Sequence, residues 1–189
     1  IYHYLSKFQL SVQYFNESYH HFTVSKDFVN MAEAQIGLME TYKFLKDYDR
    51  SIKCGYKAIS ILDSLGKIND AMDAKTILCK PLIEYGDLVT AEKFLKELFQ
   101  FYTKKKDELS IAYVLENFAF LDFHKAKYEK DLETSEKALL KYRKVNDIDG
   151  VIIMYQLQSE IYLHEKQFEK ALFFAQKVIE LIKGFEDKR

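Results

Sequence analysis

Proline occurs once in 189 residues, glycine six times and tryptophan not at all. A chain this poor in breakers lacks the turn residues that a many-stranded sheet needs, and this argues for helix throughout. Two cysteines, Cys54 and Cys79, are too few for a disulfide framework and have no metal-ligand spacing, so a reducing, cytoplasmic setting is expected. No apolar run reaches the roughly 18 to 20 residues that span a bilayer. An excess of one charge is also missing: 28 Lys plus Arg face 29 Asp plus Glu, which removes the electrostatic case for nucleic acid or an anionic membrane as partner. There is no Gly-rich phosphate loop and no nucleophile motif. His20, His21, His124 and His164 lack the i, i+4 partners of a zinc site, so no catalytic residue, metal or cofactor is expected in this segment.

What is present is apolar and aromatic. Hydrophobic residues make up 48%, and the aromatic 15% comes from 14 Tyr and 15 Phe, enough for a well-packed interior. These residues recur with a fixed period. The segments 46–62, 86–102, 126–142 and 166–182 align so that Tyr48, Leu88, Tyr128 and Phe168 fall forty residues apart. Further positions follow the same frame: Ala58, Leu98, Ala138 and Val178, then Ile59, Phe99, Leu139 and Ile179. Their offsets trace one face of an α-helix, the B helix of each unit.

Upstream of each B helix runs a second helical stretch, at 28–45, 68–85, 108–124 and 148–165, the A helix. The A and B stretches are separated by two or three residues, such as Gly86-Asp87, and links this short force antiparallel neighbours. Asp and Asn before the A helices are placed to cap them. The three lysines 104–106 follow a helix end, where positive charge sits well, and read as solvated. Pro81 falls inside an A helix and is expected to kink it. The prediction is an all-α solenoid of antiparallel helix pairs with about four and a half repeats in one domain over 1–189. The repeats run over about 27–63, 68–103, 107–143 and 147–183, after a partial repeat at 1–22. In that partial repeat, residues 8–22 take the place of a B helix and Ile1 to Leu5 the end of a preceding A helix, which implies further protein upstream.

Compact residues stand at the expected A-helix crossing: Met39, Cys79, Ala119 and Ser159. With them the pattern resembles the tetratricopeptide repeat, although its unit is 40 residues rather than 34 and Asp122 stands where a Tyr is usual. A forty-residue version is similar to the Rap proteins, peptide-sensing quorum regulators of the RRNPP group. The stretch from Met31-Ala-Glu-Ala through Glu40, Tyr42 and Lys46 to Ser51 carries that likeness, and Gln158 to Ala171 has the same character. The resemblance implies a repeat domain that binds a short linear peptide. It also implies a separate N-terminal bundle, not in this sequence, that engages a response regulator or another protein and holds any output activity.

In a stack of hairpins the A helices line the concave face. The period projects onto it Glu40 from the first unit and Asp73, Ile77 and Lys80 from the second. The third contributes Tyr113, Glu116, Asn117, Phe120 and His124, and the fourth Gln156 and Glu160; Gly37, Ile83 and Leu157 fall on the same face. Acidic side chains outnumber lysines there, which favours a ligand bearing Lys, Arg or a free amino group. Rap-type repeats carry an Asn at the place of Asn117. An amide with one donor side and one acceptor side could hold a peptide backbone extended, or serve helix packing, and the sequence leaves both open. A constitutive protein-binding scaffold is the rival to a peptide sensor.

Overall fold

Turns in this chain recur with a strict period. The computed structural model describes residues 2–186, and among them nine helices and no strand are found. They are α1 (Tyr2–Ser25), α2 (Phe28–Phe44), α3 (Tyr48–Ser64), α4 (Ile68–Tyr85), α5 (Leu88–Lys105), α6 (Glu108–His124), α7 (Tyr128–Lys144), α8 (Ile148–His164) and α9 (Phe168–Glu186). The expected helix pairs are therefore present, with ends within a residue or two of those predicted.

Between consecutive helices the residues at 26, 46, 66, 86, 106, 126, 146 and 166 take positive φ, one at every twentieth position. Each closes the preceding helix in the same way. Asp47 N–H donates to Tyr42 O at 2.9 Å and Lys46 N–H to Lys43 O at 3.0 Å, the 6→1 and 5→2 pair of a Schellman motif, and the other turns repeat it. The next residue then starts the following helix. Asp27, Asp47, Asp87, Asp107 and Asp147 each accept from the backbone N–H three residues on, satisfying one orphan donor of the new helix. Those bonds hold the Asp27 and Asp47 carboxyls below the usual carboxylate range, the side-chain bonds from Asn30 and Arg50 being the largest causes. One residue thus ends one helix and begins the next, so two or three residues suffice for each reversal.

One expectation changes. Tyr2–Ser25 is one uninterrupted helix, so the turn expected between Leu5 and Phe8 is absent. The sequence there has no Asp or Gly in the shared turn position and nothing to stop the helix; Ile1 itself lies outside the described residues. Pro81 lies inside α4, which runs from Ile68 to Tyr85, and is buried.

The chain divides into two compact units, Ile1–Phe94 and Leu95–Arg189, with the boundary inside α5. In the first, α2 packs against α1, α3 and α4. Its core holds Leu38, Met39, Leu62, Leu78, Leu82 and Ile83, each almost fully buried, and each such side chain contributes on the order of 1.5–3 kcal/mol through burial. Cys54 and Cys79 are buried here and form no disulfide among the described residues, and burial pushes the Cys54 thiol up. In the second, α6 packs on α7, α7 on α8 and α8 on α9, and α6 also touches α8. Ala112, Ala119, Ala138, Tyr142, Met154, Leu157 and Ile161 form its centre.

The A and B helices of a pair cross at equivalent places. Ser51 on α3 donates to Met39 O on α2 at 2.7 Å, and Ser159 on α8 donates to Ala171 O on α9 at 2.8 Å. Forty-residue steps make these the same crossing with the roles of the two helices exchanged. At Met39 and Ser159 it is the close contact anticipated from the sequence.

Candidate functional site

The eleven residues singled out from the sequence fall into two groups, one in each unit. In the first unit, Glu40 on α2 and Ile77 and Lys80 on α4 are half-buried, and Asp73 is exposed. Lys80 Nζ lies 3.1 Å from Glu84 Oε1 one turn on, so this patch carries an internal ion pair.

The second unit holds the other seven, on α6 and α8. Asn117 lies deeper than the projection placed it: it is 7% exposed, and its Nδ2 donates to Tyr113 O at 2.9 Å, one turn back on its own helix. The equivalent positions explain this. Gly37 stands against the Phe15 ring of α1, where a Cβ would meet ring carbons at 2.4 Å, and Leu157 is core. Ile83, projected onto the open face as well, is fully buried. An A helix such as α2 is covered by three neighbours, which leaves less of its surface open than a projection from two neighbours allows.

Glu116 is likewise turned inward. Its Oε2 accepts a hydrogen bond from the Tyr142 hydroxyl of α7. Burial, and then the Glu116 charge, raise the Tyr142 phenol far above its usual range, so it stays protonated and donates. Tyr113, 39% exposed, donates to Asp147 Oδ2 at 3.1 Å and sets its ring edge-on to Tyr142 at 5.6 Å. Burial, then the Asp147 carboxylate, raise its phenol too. Tyr113 and Glu116 therefore tie α6 to α7 and to the cap of α8.

What the second unit offers outward is Phe120, half-buried against the core, with His124, Gln156 and Glu160 exposed. Beside them the Phe123 and His164 rings meet at 5.2 Å, and His164 stacks on Tyr128 at 6.0 Å. The result is an aromatic and amide surface with an acidic edge. Among the described residues no group of three or more His, Cys, Asp or Glu is placed to hold a metal ion, and no helix is long and apolar enough to cross a membrane.

A buried polar seam in the second unit was not anticipated. Asp131 (0% exposed), Asp122 (2%), Ser135 and Gln158 lie between α6, α7 and α8. Asp131 takes the place of Ser51, Ala91 and Ala171, and Gln158 that of Leu38, Leu78 and Phe118. The signal was present in the forty-residue alignment as polar residues at small or apolar positions, and Asp122 alone was noted there.

No protein-family model matches the sequence, and comparison with the curated proteins finds no match. Solved structures do match. A Rap protein complexed with Competence and Sporulation Factor superposes on 97% of the chain with a TM-score of 0.82 at 17% identity, and the chain spans 51% of that protein. The apo form of RapI covers 94% with a TM-score of 0.67 at 13% identity, the chain spanning 72% of it. BtubC from P. vanneervenii covers 95% with a TM-score of 0.66 at 14% identity, again with 72% spanned. At these identities the likeness speaks for the fold, and the chain has the tetratricopeptide-like helical-hairpin fold of the Rap proteins.

Proposed function

We propose that this chain is a peptide-binding helical-repeat domain that senses a short linear peptide and passes its occupancy to a partner protein or a flanking domain, a response regulator being the partner class favoured. The observation that carries this is the match over 97% of the chain to a Rap protein complexed with Competence and Sporulation Factor. The chemistry of the second unit is compatible with it. Phe120 offers an apolar contact, Gln156 an amide able to pair with a backbone, and Glu160 an anion for a Lys, an Arg or an amino terminus. Asn117 acts at the inner edge of this surface, where its bond to Tyr113 O fixes the amide plane. In the first unit Asp73, Ile77, Lys80 and Glu40 form a separate patch of similar character.

Calorimetric titration with a library of five- to seven-residue peptides tests the proposal. Micromolar binding is expected, with basic peptides favoured. Glu160→Gln should weaken the basic peptides about fivefold and leave neutral ones unchanged, the scale of one exposed charge contact. Asn117→Ala should weaken all of them. Binding of a folded protein with no short peptide bound would replace the sensor with a constitutive scaffold.

A further inference from the structure

The buried seam of the second unit contains acceptors without donors. Both carboxyl oxygens of Asp131, Oδ2 of Asp122 and Oε1 of Gln158 are buried and have no hydrogen-bond partner. Asp122 Oδ1 is held by Lys130 Nζ at 3.0 Å, and Gln158 Nε2 donates to Ser135 Oγ at 3.1 Å. The donors at hand are therefore engaged elsewhere, and these four buried oxygens are left without one. An ionised carboxylate in such a place lacks both solvation and counter-charge, and the usual outcome is that it takes up a proton.

We propose that Asp131 is a proton-binding site that locks the α6–α7 crossing: its neutral carboxyl donates to the Ala119 carbonyl, and loss of the proton in mildly alkaline solution loosens the second unit. The repeat supplies the partner. Ser51 donates to Met39 O, and eighty residues on the same pair of positions is Asp131 and Ala119. A protonated carboxyl is the one form of Asp131 that can reproduce the hydroxyl's donation.

The charged groups around it agree. From α6 the Asp122 carboxylate and from α8 the Glu160 carboxylate both disfavour ionisation of Asp131, and on α7 the adjacent Lys130 is engaged by Asp122. Burial first, then Asp122 and Glu160, push the Asp131 carboxyl up to about 8 from 3.8. The folded state thus holds this proton more tightly than the unfolded chain. The stabilisation is full below about 3.8, declines as pH rises and is gone above about 8.

Urea unfolding of the whole chain, followed by circular dichroism at pH 6, 7, 8 and 9 and constant ionic strength, reads this out. The folding equilibrium constant of the native sequence should fall by up to about tenfold per pH unit between 6 and 8 and then level off. Asp131→Asn, which keeps a donor without the charge, should flatten that slope; Asp131→Ala, the residue found at positions 91 and 171, should flatten it as well. Superimposable slopes for the native and substituted chains would overturn the proposal. In the native protein the Asp131 carboxyl carbon, followed by NMR, should move between pH 6 and 9; a carbon already at its ionised position at pH 6 overturns the proposal even if neither variant folds.

Discussion

Gly150 sits in the first turn of α8, where its N–H donates to Asp147 Oδ1 at 2.9 Å. A Cβ there would lie 2.3, 2.4 and 2.5 Å from Cδ1, Cε1 and Cγ of Tyr142. Carbon atoms rest at about 3.5–4.0 Å, so the ring would have to retreat by more than about 1 Å. It has nowhere to go: Tyr142 is fully buried, its hydroxyl is engaged by Glu116 and its ring lies edge-on to Tyr113. Overpacking of this kind costs about 1–3 kcal/mol, and alanine returns about 0.5–1 kcal/mol of helix propensity. Gly150→Ala should therefore destabilise the protein by about 1–2 kcal/mol. Urea titration measures it: with a slope of about 2 kcal/mol per molar, the midpoint drops by about 0.5–1 M. Gly184→Ala, with nothing within 4 Å of its Cβ, is the control and should be neutral or slightly stabilising. Wild-type stability in Gly150→Ala would show that Tyr142 is free to move, and the account of the Tyr142–Glu116 tie would fail with it.

The turns and crossings give further tests. Ala126 holds φ at 54°, which costs an L-residue about 1 kcal/mol that glycine avoids, so Ala126→Gly should raise the thermal midpoint by about 2–4 °C in calorimetry. Ser51→Ala removes the buried bond to Met39 O and should lower stability by about 1 kcal/mol in urea titration, since the carbonyl keeps its helical donor. Asp107→Ala removes the cap bond to Ser110 N–H and should cost about the same.

The helix pairs were legible because apolar positions repeat at a forty-residue interval, and a period that long fixes architecture without help from turn residues. The turns themselves were only half legible. Gly66, Gly86 and Asn146 announce a left-handed conformation, but Lys26, Lys46, Lys106, Ala126 and Lys166 adopt it with no such signal, because the two backbone bonds of the Schellman closure impose it. Asp27 and Asp107 could be read as caps, whereas the uninterrupted run of α1 through Phe8 could not, since projection by forty residues carries helix faces and says nothing about an absent turn. At the candidate site the A-helix face was legible as a face but not in depth. Asn117 and Glu116 are polar and so were assigned outward, yet one bonds back to its own helix and the other receives a buried phenol. Asp131 escaped notice for the opposite reason: its helix is strongly polar, and one more carboxylate on it looked solvated although it is fully buried.

The twenty-residue spacing of the left-handed turns has a consequence for how such a chain can change length. The backbone beats once per helix, while side-chain identity beats once per helix pair, so the two rhythms agree only at every second turn. Loss of twenty residues between Lys46 and Gly66 would leave every turn geometrically intact and yet join two A-type helices across a reversal, mating faces that have no complementary partner. Loss of forty, between Lys46 and Gly86, would keep both rhythms in step. Deletions and duplications in this architecture should be tolerated in even numbers of helices, and the odd ones should fail in packing while their turns still form.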